Sequence, residues 1–357
     1  MRVLQINASY KPAYVYGGPT MSVAKLSEEM ILAGVDLEVF TTTANGNFEL
    51  NVKPGDTVKV DGVNVTYFSR VTKDHSHFSP ALLKHLFTTV RNYDAVHIHA
   101  WWNLVSVLAC WIAISRGVPV VISPRGTLSD YSFHNRNSLA KKFLHRLLGL
   151  SLLRKSAIHV TSDREEMAMT ALLRRPKIFN IPNFIRLPDN HTLSRRLPGH
   201  TLKLLFFSRI EEKKGIEILF KALTTVSVPY HLTIAGDGDA GYVNNLKQLA
   251  AKMRLAANIT WLGFVNENKF TVIEQHDLLV LPSYDENFGN VVIESLCVGT
   301  AVLVSKNVGL AGYIEKARLG WSCVNEPSAF SGAINLVPKK KRRVAPYKAR
   351  SAGKNKR

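Results

Sequence analysis

Two carboxylates, Glu286 and Glu294, stand eight residues apart in the stretch Asp285-Glu286-Asn287-Phe288-Gly289-Asn290-Val291-Val292-Ile293-Glu294-Ser295-Leu296. The stretch follows the apolar run Leu278–Leu281 and a short loop, Pro282-Ser283-Tyr284. This pattern predicts a strand, a loop carrying Glu286, and a helix over Val291–Val298 carrying Glu294. The first amides of a helix lack internal partners, and the positive end of its dipole lies there too. Such an end favours an anion, for instance a phosphate. Glu286 is placed to meet hydroxyls at that end, and Glu294 is suited to accept from a ribose diol. A capped surface helix with incidental glutamates fits the same residues.

A second constellation, Phe207-Ser208-Arg209-Ile210-Glu211-Glu212-Lys213-Lys214-Gly215-Ile216, follows another apolar run. Arg209 and Lys214 fall at the carboxyl end of a strand, just before a helix. A diphosphate leaving group needs such a pair, because arginine binds two oxygens at once and lysine supplies a point charge. A loop charged only for solubility is the alternative.

Three weaker features sit nearer the N-terminus. Gly17-Gly18 follows the first strand, and glycines let backbone approach a ligand at a helix start. No G-x-G-x-x-G accompanies them, so the dinucleotide fingerprint is absent and a simple turn also fits. In Val96-His97-Ile98-His99-Ala100-Trp101-Trp102 the two histidines share one side of a strand, with His99 nearest its carboxyl end. They read as a structural pair or as site residues. A metal site would need a third ligand that the sequence does not place. Ser123-Pro124-Arg125-Gly126-Thr127 puts Arg125 beside a glycine turn after an apolar strand, a candidate for contact with phosphate or sugar, or a plain turn with an exposed arginine.

The elements that must position these residues alternate. Strands are expected at Val3–Asn7, Asp36–Thr42, Val63–Ser69, Ala95–His99, Val118–Ser123 and Ala157–Thr161, with helices at about Met21–Gly34 and Leu104–Ser115 between them. A polar stretch from Pro188 to His200 reads as a linker. A second set follows, with strands at Leu202–Ser208, His231–Ala235, Ile259–Gly263, Leu278–Pro282, Ala301–Ser305 and Gly320–Val324. Its helices are expected at Ile216–Leu223, Tyr242–Met253 and Val291–Val298. The alternation argues for two tandem α/β domains with doubly wound parallel sheets, over residues 1–190 and 191–338. Ligands of such sheets sit at the carboxyl ends of the strands, and in a tandem pair in the cleft between the domains.

Composition agrees. The chain has 357 residues, 46% apolar and 20% charged, which excludes a disordered, collagen-like or coiled-coil protein and suggests about two domains. Its three cysteines, Cys110, Cys297 and Cys323, exclude a disulfide scaffold and match no zinc spacing. No apolar run reaches the ~18 residues of a membrane span, and Met1-Arg2-Val3-Leu4-Gln5-Ile6 reads as a strand rather than a signal peptide. The expected setting is cytoplasmic. The net charge of +19 is uneven. Residues 339–357 carry ten Lys/Arg and no acid, and residues 130–190 carry eleven against five. The first segment reads as a disordered basic tail. In the second, Leu147, Leu148, Leu152 and Leu153 alternate with Lys141, Lys142, Arg146, Arg154 and Lys155. That is a basic amphipathic helix near 139–155, suited to an anionic membrane surface or to packing on a core. The tail has one aromatic residue, Tyr347, and no reading motif, so no specific nucleic acid is expected.

These motifs resemble the family-4 retaining glycosyltransferases of the GT-B fold, in the branch that builds bacterial surface polysaccharides. The likeness runs from residue 1 to about 335. It rests on Glu286 and Glu294 with Asn-Phe-Gly between them, on Arg209, Lys214 and Gly215, and on Gly17-Gly18. Ile181-Pro182-Asn183, Ala235-Gly236-Asp237-Gly238 and Leu262-Gly263-Phe264-Val265 add to it, as do the strand end at His97–His99 and the Pro-Arg-Gly-Thr at 124–127. The resemblance implies a nucleotide-sugar donor and a saccharide or lipid-linked acceptor. Arg209, Lys214 and the Gly17-Gly18 loop would bind the diphosphate. Glu294 would hold the ribose, Glu286 the donor sugar, and the amides of Phe288, Gly289 and Asn290 the sugar hydroxyls and phosphate. Gly263, Phe264 and Val265 would approach the base. His99 and Arg125 would face the acceptor, and Glu286 and His99 are the candidate catalytic residues. No cofactor or metal is implied, because the cations and helix ends neutralise the leaving diphosphate.

Two departures stand out. Ala301 follows Gly299-Thr300 where the family usually has proline. At the C-terminus a helical pattern over Ala329–Leu336 is expected to break at Pro338 and give way to the basic tail, where the family has more helix. A second expectation is therefore a C-terminally truncated homologue that binds nucleotide and transfers nothing.

Overall fold

The computed structural model describes residues 1–129, 131–132, 148–188, 200–265 and 267–340. The chain divides into two compact units, Met1–Arg186 and Leu187–Arg357. Residues 189–199 of the linker stretch and the tail from 341 lie outside the described residues, as do residues 133–147, which include 139–147 of the expected basic helix.

The N-terminal unit begins with β1 (Arg2–Ile6), α1 (Gly18–Leu32) and β2 (Asp36–Thr42). A small two-stranded sheet, β3 (Ala44–Asn45) and β4 (Phe48–Glu49), follows, then β5 (Thr57–Val60) and β6 (Val63–Phe68). The rest is α2 (Pro80–Thr89), β7 (Ala95–His99), α3 (Leu104–Ser115), β8 (Val120–Ser123), α4 (Leu150–Arg154), β9 (Ala157–Val160), α5 (Asp163–Leu172) and β10 (Lys177–Asn180). Local sequence explains several starts. Ser79 caps α2 ahead of Pro80, the Asn103 side chain accepts from the Ser106 amide at 2.8 Å at the start of α3, and Ser162 caps α5.

The main sheet has the order β10-β9-β8-β7-β1-β2-β6-β5. It is parallel except at its edge, where β5 runs antiparallel to β6. That strand departs from the expected all-parallel sheet. Its cause is local: Asp61 and Gly62 take φ of 47° and 87° between alternating Val58, Val60, Val63 and Val65, the two-residue hairpin that Asp-Gly favours. The alternating strand residues are buried on both faces of the sheet. Leu4, Ile6, Ile98, Ile122 and Ile158 join one core, and Val3, Val39, Val65 and Tyr67 join another. From the expected basic helix, α4 is the described remainder, and Leu152 and Leu153 pack into the first of these cores.

The C-terminal unit contains β11 (Leu202–Phe207), α6 (Ile216–Leu223), β12 (Tyr230–Ala235), α7 (Ala240–Lys252), β13 (Ile259–Gly263), α8 (Lys269–Glu274), β14 (Leu278–Leu281), α9 (Asn290–Cys297), β15 (Ala301–Ser305), α10 (Ala311–Ala317), β16 (Gly320–Cys323) and α11 (Pro327–Lys340). Its sheet is fully parallel, in the order β13-β12-β11-β14-β15-β16. In order of first to sixth strand this is 3-2-1-4-5-6, the doubly wound arrangement whose ligand crevice opens between strands one and four. Here those strands are β11 and β14. The expected break at Pro338 does not occur, since α11 continues to Lys340. A proline deletes its own N–H bond, but its fixed φ is helical, and only two more residues follow in this helix.

Among the described residues no helix is long and apolar enough to cross a membrane. Phe330, Ile334 and Val337 of α11 are fully buried in the core of the C-terminal unit, beside Leu219, Phe220 and Leu223 of α6. Removing a buried phenylalanine costs about 3–5 kcal/mol. Phe330→Ala should therefore lower the urea midpoint of this unit sharply, and a loss under about 0.5 kcal/mol would show that α11 is no part of the core.

Candidate active site

In the C-terminal unit the predicted residues gather at the ends of β11 and β14. A short turn at Glu212–Lys214 ends at Gly215, whose φ of 67° lies in the left-handed region. A Cβ built on Gly215 would stand 2.2 Å from the Pro282 carbonyl oxygen, so only glycine lets this turn lie against the loop that leaves β14. The Tyr284 amide donates to the Lys213 carbonyl at 2.9 Å and joins the same two loops. Gly236 and Gly238 play a similar part beyond β12: their Cβ atoms would lie 1.8 Å from the Ser208 carbonyl oxygen and 2.1 Å from that of Ile210.

This contact brings Lys214 onto Glu286. The two form an ion pair with side chains only 10% and 20% exposed, far drier than a surface pair. The backbone of Glu286 is clamped as well. Its amide donates to the Asn307 carbonyl at 3.1 Å, and its carbonyl accepts from the Gly309 amide at 2.8 Å. Beside it, Lys213 pairs with the buried Asp285 at 2.8 Å. Asp285 was missed in the sequence as a group of its own, although its adjacency to Glu286 and the Lys213-Lys214 doublet were the available signal.

Gly289, with φ of 89°, turns the chain into α9 without a side-chain cap. Phe288 packs inward and is 5% exposed. The helix begins at Asn290, one residue before the expected start. Glu294 is buried along α9 and pairs with Lys269 of α8 at 2.6 Å. Lys269 had no sequence signal, since its helix was not foreseen. The exposed Arg209 pairs with Glu211 at 2.7 Å. Gly263, Phe264 and Val265 lie at the carboxyl end of β13, where the Gly263 carbonyl accepts from the Gly236 amide at 2.7 Å and the Phe264 ring stands 62% exposed.

His99, Arg125, Gly17 and Gly18 belong to the N-terminal unit. There the reversal of strand order falls between β1 and β7, and His99 is the last residue of β7. Gly17 (φ 66°) enters α1, which starts at Gly18 rather than at Met21. Arg125 itself has φ of 52°, unusual for a residue with a side chain. Its Nε donates to His99 Nδ1 at 3.2 Å, and its Nη1 donates to Ser22 Oγ at 3.1 Å and to Asn183 Oδ1 at 2.5 Å. Arg125 thus ties β7 to α1 and to the segment after β10, and is no exposed turn residue. Glu165 supports the turn: its carboxylate accepts from the amides of Gly126 at 2.7 Å and Thr161 at 2.9 Å. The spacing Ser162-x-x-Glu165 was a capping-box signal.

A third histidine, His159 of β9, which the sequence did not connect with this pair, lies beside His97. His159 Nε2 lies 2.9 Å from the Ile181 carbonyl, which only accepts, so His159 Nδ1 is left to accept from His97 Nε2 at 3.3 Å. The two rings hydrogen-bond directly. Among the described residues no group of three or more His, Cys, Asp or Glu is arranged to hold a metal ion. His97, His99 and His159 are all buried. Burial is the main cause that drives His97 and His99 well below the ordinary imidazole range, and neighbouring histidines and Arg125 add to it. Burial also takes His159 down to about 4, against the opposing bond to Ile181. Burial pulls Arg125 to about 10, which leaves it charged at neutral pH.

Residues 17–183 match the family described as "Glycosyl transferase 4-like domain", and residues 193–356 match "Glycosyl transferases group 1". The chain is a group 1 glycosyltransferase of the GT-B fold. Among its relatives, a D-inositol 3-phosphate glycosyltransferase of Pseudarthrobacter chlorophenolicus is 24% identical, over 85% of this chain and 77% of that protein. Anabaena HepE, solved with UDP and glucose, shares the fold at a TM-score of 0.74 and 20% identity, over 97% of this chain and 92% of HepE. WaaG, a glycosyltransferase involved in lipopolysaccharide biosynthesis, aligns with a TM-score of 0.68 and 15% identity, over 95% of this chain and 91% of WaaG. In this glycosyltransferase Lys214 and Glu286 meet at the reversal of strand order in one unit, and His99 lies at the reversal in the other.

The histidine cluster makes stability depend on pH. Their folded pKa values lie below the unfolded value of about 6.5. Below that pH the unfolded chain binds protons that the folded chain refuses, so stability falls as pH drops from about 6.5 toward 4. Each such proton adds about 1.4 kcal/mol per pH unit to the slope. Melting curves between those limits should show the fall, and His159→Phe should flatten it.

Proposed function

We propose that this glycosyltransferase moves a sugar from a nucleotide-sugar donor to a saccharide acceptor with retention of configuration and without a metal ion. The observation that carries the reading is the arrangement at the ends of β11 and β14. Arg209 and Lys214 supply cations there, α9 begins nearby without a side-chain cap, and the two glutamates stand at the start of that helix and along it. Those cations and the helix end oppose the charge that grows on a departing diphosphate, so the site has its own electrostatic stabilisation for the leaving group. Gly17 and Gly18 would add backbone contacts to the diphosphate. Glu294 would hold the ribose, with Gly263, Phe264 and Val265 near the base. The amides of Phe288, Gly289 and Asn290 would receive sugar hydroxyls.

For retention, the acceptor hydroxyl attacks from the face that the diphosphate leaves, and the leaving phosphate takes the hydroxyl proton. Glu286 then orients the donor sugar and need not form a covalent bond, unlike the nucleophile of a retaining hydrolase. His99 and Arg125 would serve the acceptor side. An acceptor displayed at the anionic inner face of a membrane fits the basic amphipathic pattern of residues 139–155. Assembly of surface polysaccharide, the role class named for WaaG, is the proposed setting.

Nucleoside diphosphates in EDTA should raise the melting temperature of the purified protein, because a ligand that binds only the folded state stabilises it. At 100 times Kd the gain is about 2.7 kcal/mol. Lys214→Ala should abolish the shift, and Glu286→Ala should lower transfer by about 10²–10³-fold. Binding without transfer would favour the inactive homologue, and transfer that EDTA abolishes would overturn the metal-free reading.

A further inference from the structure

We propose that Arg125 is a positioning residue that fixes His99 as a neutral ring protonated on Nε2, so that His99 serves transfer as a hydrogen-bond donor and not as a base. Its part in transfer rests on the function proposed above; the state of the ring does not.

A guanidinium carries five N–H donors and no acceptor. Arg125 Nε lies 3.2 Å from His99 Nδ1, so Nδ1 is the acceptor of that bond. A neutral imidazole that accepts on Nδ1 bears its proton on Nε2. A second proton on the ring would set two donors against each other beside a fixed positive charge. The titratable groups that face His99 are His97 on β7, whose ring centroid lies 4.1 Å away, His159 on β9, and Arg125 after β8. None is an anion. The nearest carboxylate partner in this cluster, Glu165 of α5, acts on Arg125 and accepts from Gly126 and Thr161.

Arg125 is held firmly enough to impose this state. Beyond His99 it grips Ser22 on α1 and Asn183 after β10. It also keeps φ at 52°, a conformation that persists only where its surroundings enforce it. His99 Nε2 is fully buried and has no hydrogen-bond partner among the described residues. A buried N–H without an acceptor is unfavourable, and an oxygen of a bound saccharide would supply the missing acceptor. With its lone pair taken by Arg125, the ring has no atom left to accept a proton from an attacking hydroxyl.

The test is a long-range proton–nitrogen NMR spectrum of the full chain labelled with ¹⁵N-histidine, with His99→Gln used to assign the His99 signal. The expected pattern is Nε2–H with Nδ1 unprotonated, unchanged from about pH 5.5 to about 8.5. Arg125→Met should give mixed tautomers or a ring that titrates, and Arg125→Lys, which still donates, should restore the pattern. An Nδ1–H signal, a titration near pH 6.5 in the wild type, or an unchanged spectrum in Arg125→Met would overturn the proposal. If Arg125→Met loses cooperative melting, the wild-type spectrum decides alone. In transfer assays both His99→Gln and His99→Phe should lose activity, the first at least about tenfold less, since its amide N–H stands in for Nε2–H. Equal losses would count against the donor role. Absence of transfer from every nucleotide sugar would sink the proposed function and leave the spectrum to decide the ring.

Discussion

The close approach of two loops, the turn after β11 and the segment after β14, governs the C-terminal unit. Their strands are central neighbours in the sheet, and the loops meet because Gly215 has no side chain to strike the Pro282 carbonyl. Lys214 and Glu286 are thereby set in a dry pair, where either charge alone would be costly. The clamp of Glu286 between Asn307 and Gly309, the turn at Gly289 and the start of α9 all follow from where that pair must sit. Packing and chemistry are one problem here. The same contacts that fill the end of the sheet place the charges.

The N-terminal unit solves a parallel problem with different residues. Its strand order also reverses beside its first strand, and His99 lies there. The histidines are buried, and among the described residues no acidic group pairs with their rings, so the uncharged form of the cluster is favoured. Arg125 brings a fixed positive charge to the cluster and spends its hydrogen bonds on three separate elements.

Much of this was legible because local signals agreed with the fold. Apolar runs gave the limits of β2, β7, β13 and β15, and the two-domain parallel architecture followed from their alternation. The conjunction of Glu286 with Lys214 was legible in kind, since both fall just beyond strands, but their pairing required the Gly215 contact, which joins residues far apart in the chain. The antiparallel β5 is not among the expected strands, although Asp61-Gly62 between alternating valines carries the hairpin signal. Pro338 was overread as a break, since a helix near its end loses little by it. His159 and Lys269 were invisible for another reason. Nothing in a lone histidine on a strand, or a lysine on a short helix, says which partner the tertiary structure will bring.

One feature of the C-terminal unit shapes how any anion must enter it. Arg209, Lys213, Lys214 and Lys269 each already hold a carboxylate: Glu211, Asp285, Glu286 and Glu294. This cluster is self-neutralised, so a polyanion that bound there would make a change of partners and not a simple addition of opposite charge. Part of the attraction is offset by the pairs that must open, which moderates affinity. The same carboxylates stand ready to reclaim the cations when the anion departs. A site built this way would trade tightness for ease of release, through the acids beside its bases.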